Sequence, residues 1–188
     1  MGIYEDIMAY RPCCEQEERD REVMLDFLRR NDDAFLRTNL AAHMTASGWV
    51  VNPARDRVLM AYHKIYDSWS WTGGHADGER DLLAVALREC SEETGVRNVR
   101  PVSSNIFSLE VLTVDGHEKR GAYVPSHLHM NVTYLLEADD RDELRVCEEE
   151  NSGVAWFALD DALKASTEPW FVERIYKKLN SKLKTMQY

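Results

Sequence analysis

The sequence predicts an α+β fold in which helices pack against a mixed β-sheet. Three observations support this prediction. The chain begins with charged segments of helical periodicity, its middle consists of apolar stretches of strand length separated by turn-forming residues, and an amphipathic segment closes it. These segments lack the regular strand–helix alternation that a parallel α/β sheet requires.

The N-terminal region predicts a helical extension. Residues 13–30 carry one apolar stripe on an otherwise charged segment, and we expect a second short helix over residues 33–40. At 188 residues the chain is long enough for one domain and a small addition. We therefore divide it into an N-terminal helical extension, 1–42, and a main domain, 43–188.

The main domain predicts strands first, then a central helix, then further strands and two closing helices. The turn-prone sequence NPARD separates the first two strands. The expected strands are 43–52, 57–63, 104–114, 127–138 and 154–159, the expected helices are 79–94, 160–166 and 168–184, and the expected loops include 66–74, 115–126 and 139–153.

The net charge excludes one broad class of function. The chain has 33 acidic and 23 basic residues, and its formal charge is −10. Binding along a nucleic-acid backbone requires a basic surface, so we expect no nucleic-acid polymer as partner. A phosphate-containing ligand would need positive charge from elsewhere, and a divalent cation is the obvious source.

The cysteines and the N-terminus indicate a cytoplasmic protein. Cys13 and Cys14 are adjacent, and neither they nor Cys90 and Cys147 have zinc-site spacing, so we expect free thiols in a reducing compartment. The first residues include acids and no apolar run, unlike a signal peptide. No stretch approaches the roughly 18 apolar residues of a membrane span, so we expect no membrane partner.

The central helix presents two different faces. Leu82 and Cys90 lie eight residues apart, with Ala86 between them, and would share a buried face. Glu89, Glu92 and Glu93 would share another, although like charges at this spacing repel by a few tenths of a kcal/mol per pair. Mg²⁺ prefers oxygen ligands and keeps several waters, so such a row can bind it. The preceding glycines would let a backbone carbonyl approach and leave room for a diphosphate.

At these residues the sequence resembles the Nudix hydrolase family, whose box reads G-x5-E-x7-R-E-U-x-E-E-x-G-U, where U is aliphatic. Gly74 opens the box, Arg88 and Glu89 form its RE pair, and Gly95 with Val96 closes it. Glu92 and Glu93 supply the EE pair, and Cys90 stands at the first U position. The resemblance covers roughly residues 43–178 and implies a Nudix-like α/β/α sandwich with a mixed sheet.

The resemblance implies a metal-dependent pyrophosphohydrolase and a role for each box residue. Water would attack a phosphorus of a nucleoside diphosphate linked to another moiety, assisted by Mg²⁺ or Mn²⁺. Glu92 and Glu93 would be the main metal ligands, and Glu89 would be a further ligand or the general base. The carbonyl of Gly73 would complete the metal site, and Arg88 would orient the glutamates.

One position departs from the family pattern. Arg80 stands where the box has its first glutamate. By the resemblance, that glutamate supports the box arginine and can assist the metal cluster. Neighbouring Glu79 or Asp81 would replace it imperfectly, because one residue on a helix is a rotation of about 100°. We therefore expect weaker metal binding or altered activity.

Several further residues are candidates for the site. His127 and His129 alternate on a predicted strand and would point to one face, where they can bind phosphate or a metal, or transfer protons. We assign His127, His129, His75 and Gly74 to substrate binding. The alternative for His127 and His129 is a pair of histidines on a solvated face of the sheet. One further carboxylate is expected from Glu148, Glu149 or Glu150, and the sequence does not choose among them.

Two other functions remain as alternatives. An isopentenyl-diphosphate-isomerase-like enzyme would need a catalytic cysteine before the box, and residues 43–74 contain none. A non-catalytic nucleotide-binding Nudix-like module is favoured only by Arg80 and disfavoured by the three glutamates. The sequence leaves open the substrate, and it leaves open whether the N-terminal helices cover the cleft or form a homodimer.

Overall fold

The computed structural model describes residues 2–119, 121–149 and 151–186. It has the expected α+β class, with an N-terminal helical segment before a mixed sheet. The helices are α1 (Ile3–Ala9), α2 (Glu15–Arg30), α3 (Leu82–Thr94), α4 (Leu159–Ala165), α5 (Pro169–Phe171) and α6 (Lys177–Thr185), with a π-helical segment at Val172–Tyr176. The strands are β1 (Ala42–Val51), β2 (Arg57–His63), β3 (Ser68–Ser70), β4 (Thr72–His75), β5 (Arg100–Pro101), β6 (Ser108–Val114), β7 (His117–Lys119), β8 (Ala122–Val124), β9 (His127–Glu137) and β10 (Asn151–Ala158).

The main sheet has the strand order β10–β2–β1–β9–β5, and β3, β4 and β6 pair with β2, β1 and β9. The chain forms two compact units, and the division falls within β1, β4, α3 and β9. Unit 1 comprises Met1–Ser47, Gly74–Val85 and Ser104–Tyr134, and unit 2 comprises Gly48–Gly73, Ala86–Ser103 and Leu135–Tyr188. No helix in the described ranges is both long and apolar enough to span a bilayer.

In unit 1, helix α2 covers the edge of β6 through polar side chains. Glu17 is fully buried, and its carboxylate accepts hydrogen bonds from the Ser108 hydroxyl and the Cys13 N–H, each at 2.8 Å. Asp20, one helical turn later, accepts the N–H of Val111 at 2.9 Å. These bonds satisfy polar groups beside an edge strand, which would otherwise be open to pairing with another chain.

The segment after α2 differs from the prediction. The helix expected over residues 33–40 is a series of turns. Asn39 donates its amide to Asp33 at 2.9 Å and accepts backbone N–H groups from Ala41 and Ala42 with its side-chain oxygen. Asn and Asp side chains that bond locally compete with a helical backbone, which accounts for the turn. The short helix α1 was not predicted.

Unit 2 is built on aromatic and aliphatic packing. Trp49 of β1 and Tyr176 are fully buried, and their rings stack at a centroid distance of 5.3 Å. The closing helix lies in the predicted region, but its π-helical segment was not expected. The extra residue in that turn accompanies the burial of the two neighbours Ile175 and Tyr176.

Other differences concern short strands. The loop expected over residues 66–74 contains β3 and most of β4. The loop expected over residues 115–126 contains the β7–β8 hairpin. Strand β5 has two residues and was not predicted. Strands this short carry too few side chains to show an alternating pattern in the sequence.

Candidate active site

Helix α3 begins at Leu82, three residues later than predicted. The Glu79 carboxylate accepts the N–H groups of Arg80 and Asp81 at 2.7 and 2.9 Å. The Asp81 carboxylate accepts the N–H of Ala84 at 3.1 Å, as an N-cap side chain does. Arg80 therefore lies in the turn before the helix. Glu79 and Asp81, the two neighbours that could replace the missing glutamate, both use their carboxylates to accept backbone N–H groups of this turn and of the first helical turn.

The side chain of Arg80 contacts the N-terminal part of unit 1. Its guanidinium carbon lies 4.8 Å from the ring centroid of Phe35, within cation–π distance. Arg80 and Phe35 line a cleft of about 880 Å³ together with residues of α1 and the end of α2. Arg80, the departure from the box, thus contacts a residue that precedes β1.

The end of α3 matches the prediction. Gly95 has φ +75° and follows the last helical residue, Thr94. A Cβ at Gly95 would lie 2.7 Å from Cβ and 2.9 Å from the backbone nitrogen of Arg145. The predicted apolar face is buried, and burial raises the pKa of the Cys90 thiol to about 12.

Glu93 is the most buried of the three glutamates, with an exposed fraction of 5%. One of its carboxylate oxygens accepts the N–H of Gly73 at 2.9 Å, and the other accepts the side-chain amide of Asn151 at 3.3 Å. Within unit 2, the backbone of Gly73 is therefore hydrogen-bonded to the C-terminal turn of α3. Each carboxylate oxygen can accept more than one bond, so these two hydrogen bonds do not by themselves exclude a cation at Glu93.

Glu89 and Glu92 are more accessible. The guanidinium of Arg88 lies 2.9 Å from a Glu89 oxygen and orients that side chain. Glu92 is exposed to solvent. The three carboxylates do not form one of the compact ligand groups found among the described residues, because Glu89 is turned to Arg88 and Glu93 to Gly73 and Asn151.

Asn151 is a residue that sequence reasoning missed. It is fully buried at the start of β10, and its side-chain oxygen has no hydrogen-bond partner. A buried oxygen without a partner beside Glu93 fits the oxygen preference of Mg²⁺. Its only sequence signal was its position directly after the acidic run.

The acidic run, Glu148 to Glu150, was expected to supply one further carboxylate. The Glu148 carbonyl accepts a hydrogen bond from the Lys64 ammonium, and Glu148 and Glu149 lie in a turn. Glu150, the third candidate, lies outside the described residues. Among the described contacts, none places the side chain of Glu148 or Glu149 in the site.

A second group of candidates lies within unit 1. The Nε2 atoms of His127 and His129 are 3.1 Å apart, in keeping with their predicted common face. His75, the last residue of β4, has its ring centroid 4.9 Å from that of His129. His43, which was not predicted, completes the group, since its ring centroid lies 4.8 to 5.1 Å from those of the other three. Gly74 directly precedes His75 in β4.

Two of the four histidines, His43 and His129, favour the neutral imidazole. Burial, followed by the charges of His75, His43 and His127, lowers the pKa of His129 to about 2. Burial also lowers the pKa of His43, although its bond to the Asn39 carbonyl opposes this. Repulsion between like charges at these distances adds to the effect of burial, so His43 and His129 offer nitrogen lone pairs near neutral pH.

Comparison with known proteins identifies the family. The NUDIX domain model matches residues 42–179, which is most of the chain. The chain belongs to the Nudix family. The resemblance read from Gly74 to Val96 is thereby confirmed, and the chain is a hydrolase acting on diphosphate bonds.

Solved Nudix structures share the fold at low identity. A Caenorhabditis elegans Ap4A hydrolase in a binary complex is 17% identical, with a TM-score of 0.51, and the match covers 77% of this chain and 96% of that one. A Clostridium perfringens NUDIX-family hydrolase is 21% identical, with a TM-score of 0.52 and coverage of 77% and 97%. The Escherichia coli dihydroneopterin triphosphate pyrophosphohydrolase is 13% identical, with a TM-score of 0.53 and coverage of 72% and 92%. No curated protein matches this Nudix chain by sequence.

Proposed function

We propose that this Nudix protein is a metal-dependent pyrophosphohydrolase that cleaves a nucleoside diphosphate linked to another moiety by attack of water on phosphorus. The observation that carries the proposal is the hydrogen bond from the Gly73 N–H to Glu93. This bond joins Gly73 to the end of α3 that carries the glutamates. The Gly73 carbonyl and the carboxylates could therefore bind the same cation. Two structural relatives are an Ap4A hydrolase and a dihydroneopterin triphosphate pyrophosphohydrolase, which is consistent with this chemistry.

We assign to each box residue a role that its contacts support. Exposed Glu92 offers its carboxylate directly to a cation, and buried Glu93 keeps the glycine segment in position. Glu89 accepts the proton of the attacking water or binds the cation, while Arg88 fixes its orientation. Bound Mg²⁺ or Mn²⁺ would polarise the diphosphate and lower the pKa of a bound water. The cation also reconciles a chain of charge −10 with an anionic substrate.

The first experiment is a substrate panel with matched variants. The purified protein is incubated with sugar nucleotides, ADP-ribose, dinucleoside polyphosphates and nucleoside triphosphates, with Mg²⁺ or Mn²⁺, and the phosphorus products are followed. Glu89→Gln should lower kcat by at least about a hundredfold, in the range that loss of a general base produces. Glu92→Gln should lower kcat by at least about the same factor, because a ligand of the catalytic cation is lost. Glu18→Gln, an exposed glutamate on α2, is the control and should keep the wild-type rate.

Two results would contradict the proposal. Turnover that persists in excess chelator would remove the metal from the mechanism. Saturable nucleotide binding without turnover of any compound would favour the non-catalytic module, and Arg80→Glu would then be the variant to test for restored activity.

A further inference from the structure

Four of the six histidines of the chain converge within unit 1. His43 is the second residue of β1, His75 ends β4, and His127 and His129 begin β9. One ring nitrogen from each lies within 4.8 Å of the others. Only His127 and His129 are close in the sequence, and the group extends over 86 residues (43 to 129), so the fold brings it together.

The hydrogen bonds on the outer side of two rings direct their remaining nitrogens inward. Nδ1 of His43 lies 3.2 Å from the Asn39 carbonyl, and Nδ1 of His127 lies 2.8 Å from the Pro125 carbonyl. A carbonyl only accepts, so each Nδ1 carries a proton, and the neutral tautomer with its proton on Nδ1 has its lone pair on Nε2. Backbone carbonyls commonly fix metal-binding histidines in this way.

The ring nitrogens that face one another lie in an environment typical of metal ligands. His43 is 4% exposed, and its Nε2 has no hydrogen-bond partner. Buried polar atoms without a partner are rare in folded proteins and often mark an ion or water. The 3.1 Å between Nε2 of His127 and Nε2 of His129 is close to the ~3.3 Å that separates two nitrogens bound to one tetrahedral zinc ion. A hydrogen bond between those two rings would explain that distance but would leave Nε2 of His43 without a partner.

The donor type selects the ion. Neutral imidazole suits zinc, copper, nickel and iron, whereas Mg²⁺ and Ca²⁺ require oxygen. Four protein ligands fill a tetrahedral site and leave no position for water, as in structural zinc sites. An ion bound there would connect the beginning of β1, the end of β4 and the beginning of β9.

We propose that His43, His75, His127 and His129 bind one Zn²⁺ ion at a structural site whose ligands are separate from the α3 carboxylates. This role replaces the substrate binding that the sequence suggested for three of these histidines. It does not depend on the proposed pyrophosphohydrolase activity, because the ligand sets share no residue.

The test measures zinc binding directly. The full chain is stripped of metal with a chelator, dialysed and titrated with Zn²⁺ against a chromophoric competitor. One tight site per chain is expected in the wild type. His129→Gln and His127→Gln should each weaken it at least about tenfold, while His63→Gln, a histidine of β2 outside the group, and Glu92→Gln should leave it unchanged.

Cobalt substitution distinguishes the two kinds of site. Co²⁺ bound by four imidazoles should give the intense visible absorption of tetrahedral coordination, in wild type and in Glu92→Gln, and this absorption should disappear in His127→Gln. Circular dichroism of each variant establishes that loss of binding is not loss of folding. The proposal is overturned if no tight site exists, if Co²⁺ shows only weak octahedral absorption, or if binding is lost in Glu92→Gln and kept in folded histidine variants.

Discussion

Replacing Gly95 by alanine should destabilise the protein by an amount that the structure allows us to estimate. The residue has φ +75°, where a side chain costs about 1 kcal/mol or slightly more. Its Cβ would lie 2.7 Å from Cβ and 2.9 Å from the backbone nitrogen of Arg145, so the neighbouring backbone must move. Overpacking of this kind costs about 1 to 3 kcal/mol, and we expect a total loss of about 2 to 4 kcal/mol.

Gly121 provides a matched control. It has φ +79°, and a Cβ there would have no neighbour within 4 Å, so Gly121→Ala should lose only about 1 kcal/mol. The assay is urea unfolding followed by both tryptophan fluorescence and far-UV circular dichroism. At a typical m-value of about 2 to 3 kcal/mol/M, the Gly95→Ala midpoint should fall by about 1 M. Equal losses in the two variants would refute the role assigned to the Arg145 contact.

Three further predictions concern single side chains. Since burial raises the pKa of the Cys90 thiol to about 12, a maleimide at pH 7 should label only the other three cysteines until urea is added, and mass spectrometry showing Cys90 labelled in the folded protein would contradict this. Arg80→Ala should cost about 0.5 to 1 kcal/mol through loss of the contact with Phe35 and leave kcat within a few-fold, whereas a hundredfold loss of kcat would give Arg80 a place in the reaction. Glu17→Ala should cost about 3 kcal/mol by thermal or urea unfolding, because Ser108 loses its buried acceptor, and a loss below about 1 kcal/mol would show that this bond contributes little.

The parts of the fold that the sequence predicted well are those with strong local patterns. Helix α3 has buried residues at helical spacing and a glycine at its end, and both signals were correct. Its start was misplaced because Glu79 and Asp81 use their side chains to bind the turn, and acidic residues suit a cap as well as a first helical turn. The β7–β8 hairpin was missed because its three-residue strands carry no apolar alternation.

The candidate sites divide in the same way. The spacing of the α3 carboxylates along one helix was sufficient to select them as candidates. The alternation of His127 and His129 along one strand was likewise sufficient to predict that their side chains lie close together. His43 and Asn151 could not be chosen from sequence, because each meets its partners only through the tertiary fold. The glutamate positions themselves remain predictions about catalysis until variants are assayed.

Oxygen isotope labelling tests the central claim most directly. The substrate that the panel identifies is hydrolysed in H₂¹⁸O with Mg²⁺, and the products are analysed by mass spectrometry. Attack of water on phosphorus predicts one ¹⁸O in a phosphorus product, formed only with the metal and at least about a hundredfold more slowly by Glu92→Gln than by Glu18→Gln. Label in a carbon-bound hydroxyl, or an equal rate in the two variants, would contradict the assignment of the α3 carboxylates to metal-assisted hydrolysis.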